Sequence, residues 1–131
     1  MTTSDDNLAI VRRWYDALAA RDADTVRDLF AEDGEVWQTP ELPWGGSYQG
    51  HDGLLTFFLT LVGTITSAVT EEGLFAAGDH VVQRGRTAGT VNANGAEFDV
   101  PEVHVFELRD GKVVKFTAYI DTPLMLAALN T

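Results

Sequence analysis

The stretch EFDVPEVHVFELRDGKVVKFTAYIDT, residues 97–122, decides the fold. Successive side chains of a strand point to opposite faces, so the stretch is read by twos. From Glu97 to Leu108 one set is Phe98, Val100, Glu102, His104, Phe106 and Leu108. The other is Glu97, Asp99, Pro101, Val103, Val105 and Glu107. The first set suits a core, yet Glu102 and His104 interrupt it. Burying a carboxylate or an imidazole without partners is costly. The interruption therefore points to a sheet face that lines a pocket. The alternative is a solvated sheet end where the two residues bond each other.

Asp110-Gly111 is a favoured turn pair, and Lys112 to Ile120 reads as the returning strand. Its even positions Val114, Phe116, Ala118 and Ile120 are apolar and face inward. A three-residue turn through Arg109-Asp110-Gly111 pairs Leu108 with Lys112. That register sets His104 opposite Phe116 and Glu102 opposite Ala118, whose small side chain leaves room for a ligand.

Upstream, strands are expected over Thr66 to Ala76 and His80 to Val91, bounded by Gly78-Asp79 and Asn94-Gly95. The second turn has two readings. Three residues, Ala93 to Gly95, bring Arg84 opposite His104 and Arg86 opposite Glu102. Two residues, Asn94-Gly95, set Gly85 opposite His104 and turn both arginines outward. A one-residue slip reverses every side chain, so both readings stand.

The first half of the chain is helical. Leu8, Val11, Trp14, Tyr15 and Leu18 recur at helical spacing from about Asp5 to Ala20, with Ser4 as the cap. Asp24 caps a short second helix that ends near Gly34. Glu35 to Gln38 is a short strand, and Thr39 to Gly50 is a loop. Leu42, Trp44 and Tyr48 make that loop aromatic enough to fold over something. A third helix runs from Asp52 to about Val62, with Gly63 as its stop and His51 in its cap. Asp121 or Thr122 before Pro123 starts a short terminal helix, and Asp121 suits its cap. Helices followed by a meander give an α+β plan, with helices over one face of a curved sheet.

The 131 residues are expected to form one domain, 1–131. Twenty acidic residues against nine basic give a net charge of −11. Phosphate backbones and anionic membranes repel such a chain, which argues against nucleic-acid and membrane partners. No cysteine is present, so disulfides and thiolate metal sites are excluded and a reducing, cytoplasmic location is the expectation. MTTSDDN is acidic and polar, unlike a secretory signal. The three histidines lie in different elements without metal-ligand spacing, so no metal is expected. No phosphate-binding loop or G-x-S-x-G motif occurs.

Three segments carry a resemblance: AIVRRWYDALAARDADTVRDLFAEDGEVW, YQGHDGLLTFF and EVHVFELRDGKVVKFTAYIDT. Together they resemble the SnoaL-like, ketosteroid isomerase-like branch of the NTF2-like superfamily. The resemblance implies a cone: a curved mixed β-sheet wrapped around a pocket and closed by three N-terminal helices. It also implies a homodimer through the outer sheet face. Catalytic groups carry over poorly. The base aspartate of ketosteroid isomerases falls on Gln38, their oxyanion tyrosine on Trp14 and their neutral aspartic acid on His104. SnoaL-type polyketide cyclases place an aspartate at Ala118, while their pocket histidine matches His104. Limonene epoxide hydrolases need an Asp-Arg-Asp set, from which Ala118 removes one member.

His104 is the foremost catalytic candidate, since an imidazole titrates near neutrality. Glu102 is its partner, raising the imidazole pKa by its charge while burial lowers it. Tyr15 offers a hydroxyl to a ligand. Trp14, Trp37, Phe116, Ala118 and Ile120 are expected to wall the pocket, and Trp44 to lie over it. Two functions follow. One is a cofactor-free enzyme moving a proton on a small hydrophobic carbonyl compound, by isomerisation or aldol-type cyclisation. The other is a binding module that holds a hydrophobic metabolite without chemistry.

Overall fold

The computed structural model describes residues 3–131. Helices α1 (Ser4–Ala19) and α2 (Ala23–Leu29) precede strands β1 (Phe30–Gln38) and β2 (Gly46–Gln49). Helix α3 (Gly50–Thr64) follows, then β3 (Ile65–Ala77), β4 (His80–Val91), β5 (Glu97–Arg109), β6 (Lys112–Ile120) and α4 (Thr122–Leu129). The six strands form one curved mixed sheet in the order β2-β1-β6-β5-β4-β3. Only β1 and β6 run parallel. The expected α+β plan holds with one correction. Two helices, not three, precede the first strand; α3 comes after β2, and α4 closes the chain.

Local chemistry sets the boundaries. Thr3, one residue before the expected Ser4, caps α1: its hydroxyl accepts from Asp6 N at 3.1 Å, and Asp6 accepts from Thr3 N at 3.2 Å. Asp22 rather than Asp24 caps α2, accepting from Thr25 N at 3.1 Å. β1 starts at Phe30, earlier than the expected Glu35, because it is irregular. Its pairing with β6 jumps from Phe30–Val113 to Glu35–Lys115, and a bulge spoils the alternation by which a strand is read. The 39–50 segment contains β2 in addition to loop. Gly63 does not stop α3, since a helix tolerates glycine at modest cost. Asp121 caps α4, accepting from Leu124 N at 3.1 Å.

The β5–β6 register differs from expectation at two points. The turn is the two-residue Asp110-Gly111, both at positive φ (53° and 79°), so Arg109 pairs with Lys112. Val114 is then an extra residue, since Leu108 pairs with Val113 and Glu107 with Lys115. Each departure moves the register by one residue. His104 therefore faces Ala118, and Glu102 faces Ile120. Two shifts restore parity, so Phe116 and Ala118 still point inward, while Val113 takes the buried place expected of Val114.

Between β4 and β5 neither anticipated turn forms. Gln83 pairs with His104 and Gly85 with Glu102. Arg84 and Arg86 pair with Val103 and Pro101 on the outer face. There Arg86 Nε binds Asp99 Oδ1 at 2.7 Å, and Arg84 lies 4.0 Å from Glu72.

The core lies between the inner sheet face and the helices. Val81, Val100, Phe106, Leu108, Val113 and Phe116 meet Val11, Trp14 and Ala17 of α1, Leu54 and Phe57 of α3, and Met125 of α4, all buried. The aromatic loop does fold back: Leu42 and Trp44 are buried, and Trp44 Nε1 donates to Gln38 Oε1 at 2.9 Å. Among the described residues no helix is long and apolar enough to cross a membrane.

Candidate functional site

Four polar side chains meet inside this apolar layer. His104 and Glu102 share the inner face of β5, Gln83 comes from the facing position on β4, and Tyr15 descends from α1. The Tyr15 hydroxyl lies 2.6 Å from His104 Nδ1, and Gln83 Nε2 donates to that hydroxyl at 3.1 Å. His104 Nε2 lies 3.4 Å from Glu102 Oε2.

Donor and acceptor bookkeeping assigns the protons. A tyrosine oxygen that accepts from an amide gives its own hydrogen to the imidazole. Nδ1 then accepts, so Nε2 carries the ring hydrogen and directs it toward Glu102. The hydrogen bonds run Gln83 to Tyr15 to His104, and Glu102 lies beside the last member, 3.4 Å from Nε2. The sequence reading missed Gln83, because its place depends on the β4–β5 register. The signal was present: Gln83 is a lone amide alternating with Val81 and Gly85.

Desolvation dominates the electrostatics. Burial drives the His104 pKa down to about 3, so the imidazole is neutral near pH 7. Burial pushes Glu102 up to about 7, against the lowering influence of the nearby Gln83 amide and with help from the charge of Glu72. Tyr15 is also raised by burial, with Glu102 and Glu71 adding to the effect. Glu102 is thus the group whose charge changes near neutrality, not His104. Both Glu102 oxygens and Gln83 Oε1 are buried without a hydrogen-bond partner. About 11% of the His104 side chain stays exposed, whereas the Glu102 side chain is fully covered. Solvent reaches the ring, and Glu102 sits behind it.

The walls are aromatic. Phe116 meets the His104 ring edge-on at 5.1 Å between centroids, and Tyr15 lies parallel to it at 6.0 Å. Trp14 is fully buried among Phe30, Phe58, Phe106 and Phe116, so it fills the interior at this level instead of bordering a hollow. A shallow depression of about 420 Å³ lies elsewhere, lined by Gly89, Thr90, Glu97, Phe98 and Asp99. Ala118 and Ile120 face inward across from His104 and Glu102. Trp37 does not line the interior. It pairs with Thr117 and packs on half-exposed Tyr119 on the outer face, because Val36 and Gln38 take the inward places on β1.

The remaining histidines lie outside the cluster. His51 Nε2 donates to Phe30 O at 2.7 Å, tying α3 to the start of β1. His80 pairs with Glu107 at the far end of the sheet. Gln38, where the resemblance implies a base, is held by Trp44.

Comparison with known proteins follows the same lines. A solved NTF2-like protein of unknown function from Burkholderia pseudomallei is 25% identical, covering 96% of this chain and 98% of that one, with a TM-score of 0.90. An NTF2-like protein from Burkholderia thailandensis is 27% identical over 93% and 95% of the two chains, with a TM-score of 0.87. A hypothetical protein from Catenulispora acidiphila with a ketosteroid isomerase-like fold, solved with trimethylamine, is 22% identical over 92% of each chain, at a TM-score of 0.79. No curated protein sequence matches this one. The profile of the SnoaL-like domain matches residues 11–116, a span holding the second half of α1, the loop, Gln83 and the whole of β5. The fold and that match agree, and the chain belongs to the SnoaL-like domain family.

Proposed function

We propose that this protein binds a small hydrophobic carbonyl compound against Tyr15, His104 and Glu102 and moves a proton on it without a cofactor. Isomerisation and aldol-type cyclisation are the two forms such chemistry takes. The observation that carries the reading is the unbroken contact from Tyr15 through His104 to Glu102, 2.6 Å and then 3.4 Å, in apolar surroundings. A general base works best when its pKa lies near the working pH, and Glu102 at about 7 meets that condition. As carboxylate it accepts a proton from the carbon beside the carbonyl; as acid it returns that proton at a second position. His104, neutral and anchored by Tyr15, orients Glu102. Phe116, Ala118 and Ile120 supply apolar contact, and Trp14 backs the aromatic wall.

A non-catalytic binding module is the second reading. Two observations favour it: Gln38 and Ala118 stand where the resemblance implies acids, and the Gln38 oxygen is already engaged by Trp44. The trimethylamine complex of the Catenulispora protein accords with small-molecule binding on this fold. In either reading the working unit is a homodimer formed through the outer sheet face. A row of side chains, Trp37, Thr117, Val105, Val82 and Phe75, crosses five strands there, with Tyr119 and Val103 beside it.

The test is solvent-deuterium exchange into a panel of cyclic enones and diketones, followed by NMR, together with thermal shift on the same panel. Wild type is expected to bind a member and catalyse exchange, and Glu102→Gln and His104→Ala to slow it about a hundredfold or more. Binding without exchange in wild type selects the binding module. Exchange that survives both substitutions removes the assignment.

A further inference from the structure

The unpartnered polar atoms of the site share one character: Glu102 Oε1, Glu102 Oε2 and Gln83 Oε1 are all acceptors. Gln83 Nε2 is committed to Tyr15 and the Tyr15 hydroxyl to His104, while the His104 Nε2–H, 3.4 Å from Glu102 Oε2, makes no hydrogen bond to it. A ligand that satisfies these three atoms must bring hydrogen to them, whatever acceptor it carries elsewhere. Trp14 Nε1 also lacks a partner, but its ring is packed among four phenylalanines.

Charge narrows the choice. Among the described residues no basic side chain compensates Glu102 when it is ionised. Arg12 on α1 pairs with Glu71 at 3.8 Å, and Arg84 and Arg86 lie on the opposite sheet face with acidic partners of their own. The inward residues of β4 (Val81, Gln83, Gly85, Thr87) and β6 (Phe116, Ala118, Ile120) carry no charge, nor does any residue of α4. The charged groups that do bear on the site are Glu71 and Glu72 of β3, both acidic. A neutral donor would satisfy a lone pair and leave the buried charge uncompensated; an anion would be repelled. A cation does both jobs. Tyr15 and Phe116, packed around the His104 ring, make the surroundings aromatic, which suits the apolar body of such a ligand.

We propose that the ligand of this site carries a protonated primary or secondary amine on a small apolar body, and that its N–H groups bind the Glu102 carboxylate and the Gln83 carbonyl. This rests on the Tyr15–His104–Glu102 cluster being the ligand site, not on its proton-transfer chemistry. The amine enters past the exposed edge of His104, the side from which solvent reaches the cluster.

The test uses benzylammonium, with benzyl alcohol and benzoate as neutral and anionic counterparts, in calorimetric titrations of the full chain. Benzylammonium is expected to bind about tenfold or more tightly than benzyl alcohol, and benzoate not to bind. In two buffers of different ionisation enthalpy at pH 6, its binding should release a proton as Glu102 ionises. Glu102→Gln should abolish both the preference and the release. Equal binding of the amine and the alcohol, or a preference that survives in Glu102→Gln, overturns the proposal. If benzyl alcohol or an enone binds wild type and His104→Ala abolishes that binding, the site stands and the amine inference alone falls. If none of the probes binds wild type, both fall.

Discussion

Gly85 stands directly across the β4–β5 ladder from Glu102, and the absence of a side chain there is what lets the carboxylate lie down. A Cβ at 85 would come within 2.0 Å of Thr70 O and 3.0 Å of Glu102 Oε1. The same absence lets β3 curl over the inner face, as it does at Gly89, where a Cβ would meet Thr66 O at 1.9 Å. Gly85→Ala should therefore cost at least the ~1–3 kcal/mol typical of overpacking, because the obstacle is backbone and cannot rotate away. Gly63→Ala is the control. Its Cβ meets nothing within 4 Å in the last turns of α3, and it should stabilise by up to about 1 kcal/mol. Urea denaturation of the two variants should move in opposite directions; a neutral Gly85→Ala would mean that the strand pair relaxes freely.

The pH dependence of stability separates Glu102 from His104. Glu102 rises from an ordinary 4.5 to about 7 on folding, so the folded chain holds that proton more tightly than the unfolded chain. Its contribution is fully present below pH 4.5 and is lost as pH rises through 7, a change of roughly 3 kcal/mol. His104 runs the other way. It falls from 6.5 to about 3, so its contribution is present above pH 6.5 and is lost as pH drops toward 3. Glu102→Gln should match wild type near pH 4 and exceed it at pH 8, by up to the same roughly 3 kcal/mol. A variant whose stability still declines between pH 5 and 8 would locate the titrating group elsewhere.

The strand faces were legible because alternation is strong where one side is buried. Phe98 to Leu108 reads inward without ambiguity, and the inward pair Glu102 and His104 emerges from that reading alone. Pairing between strands was not legible, since it depends on turn length and bulges that leave little trace in composition. The extra residue at Val114 and the longer Val91–Ala96 connection each moved a register, and with the second went the place of Gln83. Trp37 was misplaced for a related reason. On a short irregular strand its size suggested burial, but parity put it outside, where an exposed tyrosine shields it. The hollow expected around His104 was inferred from polarity; the aromatic bulk of Trp14 and Phe116 fills much of it.

The outer face offers a test of assembly. Phe75 and Tyr119 are each about half exposed on that face, at one end of its apolar row and beside it. Scattered apolar residues need no partner, but Trp37, Val105, Val82 and Phe75 lie along one line across the sheet, interrupted by Thr117, and such a patch suits one. Wild type is expected to elute and scatter light as a dimer. Phe75→Lys combined with Tyr119→Lys should give a monomer with unchanged secondary structure, because neither side chain belongs to the core. A dimer that persists at micromolar concentration would put the interface on another surface.

Tyr15→Phe tests the proton assignment without any ligand. The substitution keeps the ring against His104 and removes the oxygen that joins Gln83 to Nδ1. Two buried polar groups lose their partner, at a cost of about 1–3 kcal/mol in denaturant titrations. In wild type, with Tyr15 giving its hydrogen to Nδ1, the ring hydrogen belongs on Nε2 facing Glu102. Nitrogen-15 chemical shifts should then show one protonated Nε2 and one acceptor Nδ1 at pH 7. Without the tyrosine hydroxyl nothing holds that tautomer, so the Nδ1-protonated form should appear and the two shifts should converge. A wild-type spectrum already showing hydrogen on Nδ1 would reverse the direction of the whole chain. The tyrosine hydrogen would then be left for Gln83 Oε1, one of the acceptors assigned to a ligand.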